Sequence, residues 1–331
     1  MSTLYLTEQG TKLRKASRRL VVEKDGTTIL EVPSHEVERV LVFGAVQMST
    51  QAMTFLLESG TEVSFLSMTG RLKGKLAPAQ SKNVFLRLAQ YERSKDEEFK
   101  LSVARTIVQA KIKNQRTLLL RHQRNHPDAD FSSELASMSE ALSSVPQKKG
   151  NSSLMGLEGV SSGAYFRCFA RMLSPEFAFD KRLKHPATDP VNALLSLGYV
   201  LVTNELAGVA ESVGFDPFIG FLHGLRYGRQ SLALDLVEEF RQPVVDGLVL
   251  TEINKRMVKQ ADFERGADGA CYLKKEVFGR FLASYEDRLE STFLYKSAGA
   301  HTSYRKLFRS QVEDMERAVL NRGEYHPFLV Q

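Results

Sequence analysis

Apolar residues recur along this chain with two different periods, and the change between them near Pro78 divides it. Up to about residue 75 they come in short aliphatic and β-branched runs. Arg19-Leu20-Val21-Val22-Glu23 and Thr27-Thr28-Ile29-Leu30-Glu31-Val32 flank Asp25-Gly26, a two-residue signal for a type I′ hairpin turn. Pro33 closes the second run, residues 38–43 predict a third strand and residues 62–66 a fourth. Between these two, Ser49 is placed to cap a short helix through Ala52, Phe55 and Leu56 that ends at Gly60. After Pro78, Val84, Leu88 and Tyr91, then Leu101, Ile107, Val108 and Ile112, fall at helical spacing between charged residues. Residues 152–173, 190–213 and 231–240 repeat that period, with Asp189 as N-cap and Pro190 in the first helical position. Residues 126–150, rich in Pro, Asp, Ser and Lys around one short apolar helix at 135–142, read as a loop or crossover rather than core. The expectation is an α+β chain: a small β-rich domain over residues 1–78 and a larger all-α domain over 79–331.

Composition narrows the classes. The 331 residues are 43% hydrophobic and 25% charged, ordinary values for a folded globular chain. Lys and Arg number 45 against 39 Asp and Glu, a net charge of +6 that suits a polyanionic partner without requiring one. Two cysteines, Cys168 and Cys271, are too few for a disulfide framework or a four-thiolate zinc site and read as buried thiols. No uninterrupted apolar run approaches the roughly 18 residues of a membrane span, and the N-terminus lacks a signal-peptide pattern, so a cytoplasmic protein is expected. The Asn151-Ser152-Ser153 sequon then reads as loop polarity. Gly70-Arg71-Leu72-Lys73-Gly74-Lys75-Leu76 resembles a phosphate-binding loop in outline, but it has three residues between its glycines and leucine after the lysine, so it is rejected. Arg14, Lys15, Arg18 and Arg19 read as a solvated face.

Candidate chemistry gathers between residues 214 and 241. Asp235 and Glu238 are three apart, so on a helix they stand about 60° apart around the axis and roughly 4.5 Å along it. Two like charges so placed repel unless a cation neutralises them. His223 can supply an imidazole beside those hard oxygens, a donor mixture that suits Mn²⁺ and tolerates Mg²⁺. Glu239, four residues after Asp235, shares the face, and spacing does not choose between it and Glu238. The competing interpretation is a hydrogen-bonded core histidine next to solvated acids. Arg226 and Arg229 offer forked donors for phosphate, or partners for the acids. A further acid, Glu158, stands between small residues in Leu154-Met155-Gly156-Leu157-Glu158-Gly159-Val160, which lets another group approach closely.

The runs Leu157-Glu158-Gly159, Asp189-Pro190-Val191-Asn192-Ala193-Leu194-Leu195-Ser196-Leu197-Gly198-Tyr199, Asp216-Pro217-Phe218-Ile219-Gly220-Phe221-Leu222-His223 and Ser231-Leu232-Ala233-Leu234-Asp235-Leu236-Val237-Glu238-Glu239-Phe240-Arg241 occur in this order. With them the chain resembles the universal CRISPR-associated adaptation integrase family, the metal-dependent nucleases of spacer acquisition. The resemblance covers essentially the whole chain, its N-terminal part by organisation more than by signature. It implies Glu158, His223 and Glu238 as ligands of Mn²⁺ or Mg²⁺, and Asp235 as a further active-site acid. Glu239 becomes a neighbour, and Gln242 between Arg241 and Pro243 is a small departure from the family pattern.

The reaction the resemblance implies is attack by the 3′-hydroxyl of a short DNA fragment on a phosphodiester of the CRISPR repeat, which inserts a spacer. Water in place of that hydroxyl makes the same site an endonuclease. Arg226, Arg229, Lys181, Arg182 and Lys184 are the candidate phosphate contacts. Implied partners are a second copy of the chain, joined through the β-rich domain, and a small ferredoxin-like adaptation protein. The alternatives are a structure-selective nuclease acting on branched DNA in repair and a non-enzymatic DNA-binding scaffold.

Overall fold

The computed structural model describes residues 2–68, 70–78, 83–183, 186–297 and 299–330. The chain divides into two compact units, Met1–Ser81 and Lys82–Gln331. In the first, the strands are β1 (Ser2–Leu6), β2 (Lys12–Ala16), β3 (Arg19–Lys24), β4 (Thr27–Pro33), β5 (Val37–Phe43), β6 (Gln47–Met48), β7 (Glu62–Leu66) and β8 (Leu72–Leu76), with α1 (Thr50–Glu58) before β7. They form two four-stranded sheets, ordered β1-β5-β7-β8 and β4-β3-β2-β6. The expected hairpin is β3–β4, with Val22 opposite Leu30 and positive φ at both Asp25 (49°) and Gly26 (79°), as a type I′ turn requires. Ser49 caps α1 by accepting from the Ala52 N–H at 3.2 Å. Strand β5 runs parallel between β1 and β7, and Val40, Val42 and Phe43 are buried, as befits an inner parallel strand. These valines pack with Leu4, Leu6, Leu13, Leu20, Leu56 and Val63 into one core. The segment rejected as a phosphate loop contains β8, a sheet edge.

The second unit is built on α2 (Val84–Arg93), α3 (Glu97–Asn125), α4 (Ser132–Ser144), α5 (Asn151–Met172), α6 (Pro190–Val213), α7 (Ser231–Val237), α8 (Gly247–Asn254), α9 (Lys275–Glu290) and α10 (Tyr304–Val319). Two short antiparallel ribbons interrupt it, β9 (Phe263–Arg265) with β10 (Cys271–Leu273), and β11 (Thr292–Tyr295) with β12 (Ala300–Ser303). Strands this short do not register as alternation. The short helix expected at 135–142 is present as the longer α4, but the reading of residues 126–150 as a loop outside the core is corrected: α4 packs on α3 and α5. Phe131, Met138, Ala141 and Val145 bury a narrow helical stripe that the surrounding serines obscure.

Helix α6 is the core helix. Asp189 caps it by accepting from the Asn192 N–H at 2.9 Å, with Pro190 in its first turn. By length and composition α6 can span a membrane, but 72% of its apolar window is buried inside this unit, the position of a core helix. Helices α3 and α5 pack side by side, and α7 packs on α6. These two pairings set the backbone under the candidate residues.

Candidate metal and phosphoryl-transfer site

Lys111 sits on α3 in phase with buried Ile107, Val108, Asn114 and Gln115, so helical period turns its stem into the unit. Opposite it, α5 presents Glu158. The Lys111 ammonium donates to Glu158 Oε1, and its Nζ is 2.5 Å from Glu238 Oε2. Glu158 is fixed from its own helix: the Ser162 hydroxyl donates to Oε1 at 2.8 Å, and Gln115 Nε2 donates to Ser162 Oγ at 3.2 Å. Added Cβ atoms at Gly156 and Gly159 would meet nothing within 4 Å. The small neighbours of Glu158 therefore leave open space on that side.

His223 comes from the segment between α6 and α7, and it is held from both edges of the backbone. Asp235, on α7 and fully buried, accepts from the N–H groups of Phe221 (2.5 Å), Leu222 (2.9 Å) and His223 (2.8 Å). Asn151, at the start of α5, donates through Nδ2 to the carbonyls of Phe221 (2.6 Å) and Leu222 (3.2 Å). This corrects the sequon as loop polarity: Asn151 is a brace of the histidine loop. Gly220 allows the close approach, since a Cβ there would lie 2.8 Å from Asp235 Oδ2 and 2.7 Å from the Ser231 carbonyl carbon. Asp235 Oδ1 also meets His223 Nδ1 at 2.7 Å. Four donors converge on two oxygens, which saturates the carboxylate, so Nδ1 carries the proton and the Nε2 lone pair faces away from Asp235.

Glu238 follows the last residue of α7 but keeps helical dihedrals (φ −60°, ψ −31°), which preserves its one-turn offset from Asp235. Beyond Phe240 the chain widens into a π-helical turn, Arg241–Asp246, where Pro243 has no N–H to offer. Arg241 folds back to Glu238 Oε1 at 3.2 Å. The exposures are graded: the side chains of Lys111 and Glu238 are 7% and 5% exposed, and that of Glu158 is 26% exposed. Burial alone would raise the Glu238 carboxyl, but Arg241 and then Lys111 hold it down at about 2. At Glu158 burial likewise opposes ionisation, and Lys111 outweighs it, leaving the carboxyl below its ordinary value. Both acids are therefore anionic at neutral pH. Among the described residues no three Asp, Glu, His or Cys side chains stand grouped in ligating geometry; the Lys111 ammonium lies between the two carboxylates.

The other candidates separate. Glu239 turns away from Glu238: it accepts from the Tyr325 hydroxyl and the Phe328 N–H, and burial lifts its carboxyl to about 8. Arg226 is on the exposed tip of the loop after His223, whereas Arg229 is turned onto that loop, donating to the Gly224 carbonyl and, at 3.3 Å, to Ser231 Oγ. Arg182 faces inward, donating to Asn192 Oδ1 (2.8 Å) and Ser196 Oγ (2.9 Å) and stacking over Tyr199. Lys181 is exposed and Lys184 lies outside the described residues. Sequence reasoning missed Lys111 and gave Arg241 no role. A lysine in phase with the buried face of α3 is the signal that could have found the first.

Comparison with known proteins identifies the family. The family model described as CRISPR associated protein Cas1 matches residues 4–287. A CRISPR-associated endonuclease Cas1 of Rhodospirillum rubrum is 38% identical over 300 residues, which cover 87% of this chain and 86% of that one. Among solved structures, a casposase bound to an integration product shares the fold with a TM-score of 0.87 at 23% identity, covering 99% of this chain and 93% of its own. A chain of a Cas6-RT-Cas1–Cas2 complex gives a TM-score of 0.84 at 26% identity, covering 100% of this chain and 36% of its own. The chain belongs to the Cas1 family of CRISPR-associated endonucleases.

Proposed function

We propose that the protein is a metal-dependent DNA integrase that joins short DNA fragments into the CRISPR repeat. One observation carries this: two carboxylates kept anionic, Glu158 and Glu238, meet around the buried Lys111 ammonium, and Asp235, one turn before Glu238, holds the His223 imidazole. The residues suit a divalent ion. They offer two hard oxygen donors and one neutral imidazole nitrogen, the mixture that Mn²⁺ accepts and Mg²⁺ tolerates, in a place that already stabilises positive charge. Glu158, Glu238 and His223 Nε2 would hold it, and the ion would supply Lewis-acid stabilisation of charge on a phosphodiester.

The chain's own residues do the remaining work. Asp235 and Asn151 fix the His223 segment before substrate arrives, so no ordering is needed during the reaction. Arg241 keeps Glu238 ionised in its buried position. The half-open side at Glu158, bordered by Gly156 and Gly159, supports access for a strand as bulky as DNA. In the reaction the 3′-oxygen of the fragment forms a bond to a repeat phosphorus while that phosphorus releases its former 3′-oxygen. One phosphodiester replaces another, so the step is close to neutral and calls for no nucleotide hydrolysis. The likeness to a casposase determined on an integration product, and to a chain in a Cas6-RT-Cas1–Cas2 complex, supports DNA as substrate and a protein partner; in this reading the chain also forms a homodimer through residues 1–78, and the partner is a small ferredoxin-like protein.

The test is incubation with Mn²⁺, a labelled short duplex and a supercoiled repeat plasmid, with and without the small partner. Label should join the plasmid with wild type and not with Glu158→Ala or His223→Ala. Joining retained by either purified variant would refute the assignment.

A further inference from the structure

Lys111 occupies the place where an ion shared by Glu158 and Glu238 would sit. Its ammonium pairs with both carboxylates. An ion ligated by oxygens at roughly 2.0–2.2 Å fills that same space, and two adjacent cations repel. Nothing on α3 needs to move for the ammonium to leave, because it is carried on a flexible four-carbon stem. Among the described residues, the pair of carboxylates otherwise keeps one further ion-pair partner, Arg241 at Glu238. An uncompensated carboxylate buried as deeply as Glu238 is costly.

We propose that Lys111 is a built-in stand-in for the metal: it neutralises Glu158 and Glu238 while the site is empty, and its ammonium withdraws when a divalent ion binds. The inference rests on the assignment of these carboxylates as metal ligands. Lys111 then stabilises the metal-free fold and weakens metal affinity at once, since every binding event must break its ion pairs. A lysine that simply belonged to the loaded site would keep its ion pairs with both carboxylates when the metal is bound.

The experiment is Mn²⁺ titration of the full chain, without DNA, by calorimetry and by electron paramagnetic resonance. Wild type is compared with Lys111→Met, Lys111→Gln and Glu238→Gln. Lys111→Met and Lys111→Gln should bind Mn²⁺ about tenfold or more tightly, the size of one charge-assisted hydrogen bond no longer competing. Both should melt lower than wild type without metal and regain stability as Mn²⁺ is added. Equal or weaker affinity in a folded variant overturns the proposal. If both variants fail to fold, a crystal structure of Mn²⁺-loaded wild type decides. Nζ withdrawn from the carboxylates supports it, and Nζ still hydrogen-bonded to both overturns it. Glu238→Gln separates the two levels: if it abolishes Mn²⁺ binding while the lysine variants bind as wild type, only the stand-in role fails. If wild type binds no Mn²⁺, or Glu238→Gln binds it unchanged, the ligand assignment fails and the stand-in role with it.

Discussion

Asp235 grips His223 at two points, the backbone N–H at 2.8 Å and the imidazole Nδ1 at 2.7 Å. The same carboxylate also closes the two preceding N–H groups, so it sets both where the ring sits and which nitrogen carries the proton. Asp235 therefore acts through His223 as a positioning residue. Asp235→Asn presents an amide donor to donors already in place. It should cut Mn²⁺-dependent joining about 10–100-fold and reduce Mn²⁺ affinity by a similar factor. Nitrogen-detected NMR of the imidazole should show the Nδ1-protonated form in wild type and a mixture in the variant. An unchanged tautomer with unchanged affinity would remove the positioning role.

Glu158 and Glu238 share Lys111 but not a burial. Removal of Glu238 takes from the largely buried Arg241 its carboxylate partner and leaves Lys111 with the more exposed Glu158, whereas removal of Glu158 leaves each cation its Glu238 partner. Glu238→Ala should therefore cost about 3–5 kcal/mol of stability and Glu158→Ala only about 1 kcal/mol. Both should eliminate joining. Urea unfolding of the two variants measures the difference, and equal losses would contradict the graded burial of the pair.

The β-rich start is legible because its strands signal locally. The Asp25-Gly26 turn and the Ser49 cap each act through one or two residues and are found where expected. Strands β2 and β8 are not legible, because Lys12, Arg14 and Lys15 dilute the single buried Leu13 of β2, and β8 is an edge with a glycine at its centre. In the site, ordered motifs pointed to Glu158, His223 and Glu238, but motifs report residues along the chain and not the groups that face them. Lys111 is 47 residues from Glu158, and Asn151 reaches His223's neighbours across 70. Helical period turns Lys111 inward, but the groups that each of the two meets are set by tertiary packing that no local period encodes. Asp235 looked like a ligand because a carboxylate one turn from another suggests a shared ion, and only the N–H groups pointing at it reveal its use.

Asp246 lies behind Arg241, accepting from the hydroxyls of Tyr199 (2.5 Å) and Tyr165 (2.8 Å). Burial outweighs these bonds and raises its carboxyl to about 6 from an ordinary 3.8. The native state thus holds this proton more tightly than the unfolded chain, so its contribution is full below about pH 4 and is lost as pH rises through 6. Asp246→Asn carries no such proton. Relative to wild type the variant should gain on the order of 3 kcal/mol between pH 4 and 7. Urea unfolding across that range tests the sign; a relative loss toward neutral pH would show the native carboxyl to be depressed instead.

Arg226 and Arg229 are three residues apart and should fail in different ways. Arg226 stands on the exposed loop tip, where its charge is available to a phosphate. Arg229 bonds the Gly224 carbonyl, which the Ser231 hydroxyl also reaches at 3.1 Å, so it ties the two ends of that loop together. Arg226→Ala should weaken binding to all DNA sequences alike and lower the slope of log affinity against log salt by about one, with an unchanged melting temperature. Arg229→Ala should cost about 1 kcal/mol of stability and reduce joining, since the loop that carries His223 loses a tie, but it should leave the salt slope nearly as it was. Fluorescence anisotropy with a labelled duplex over a series of NaCl concentrations, alongside thermal melts, separates the two. If Arg229→Ala instead drops the slope by one and melts like wild type, its guanidinium serves DNA rather than the loop.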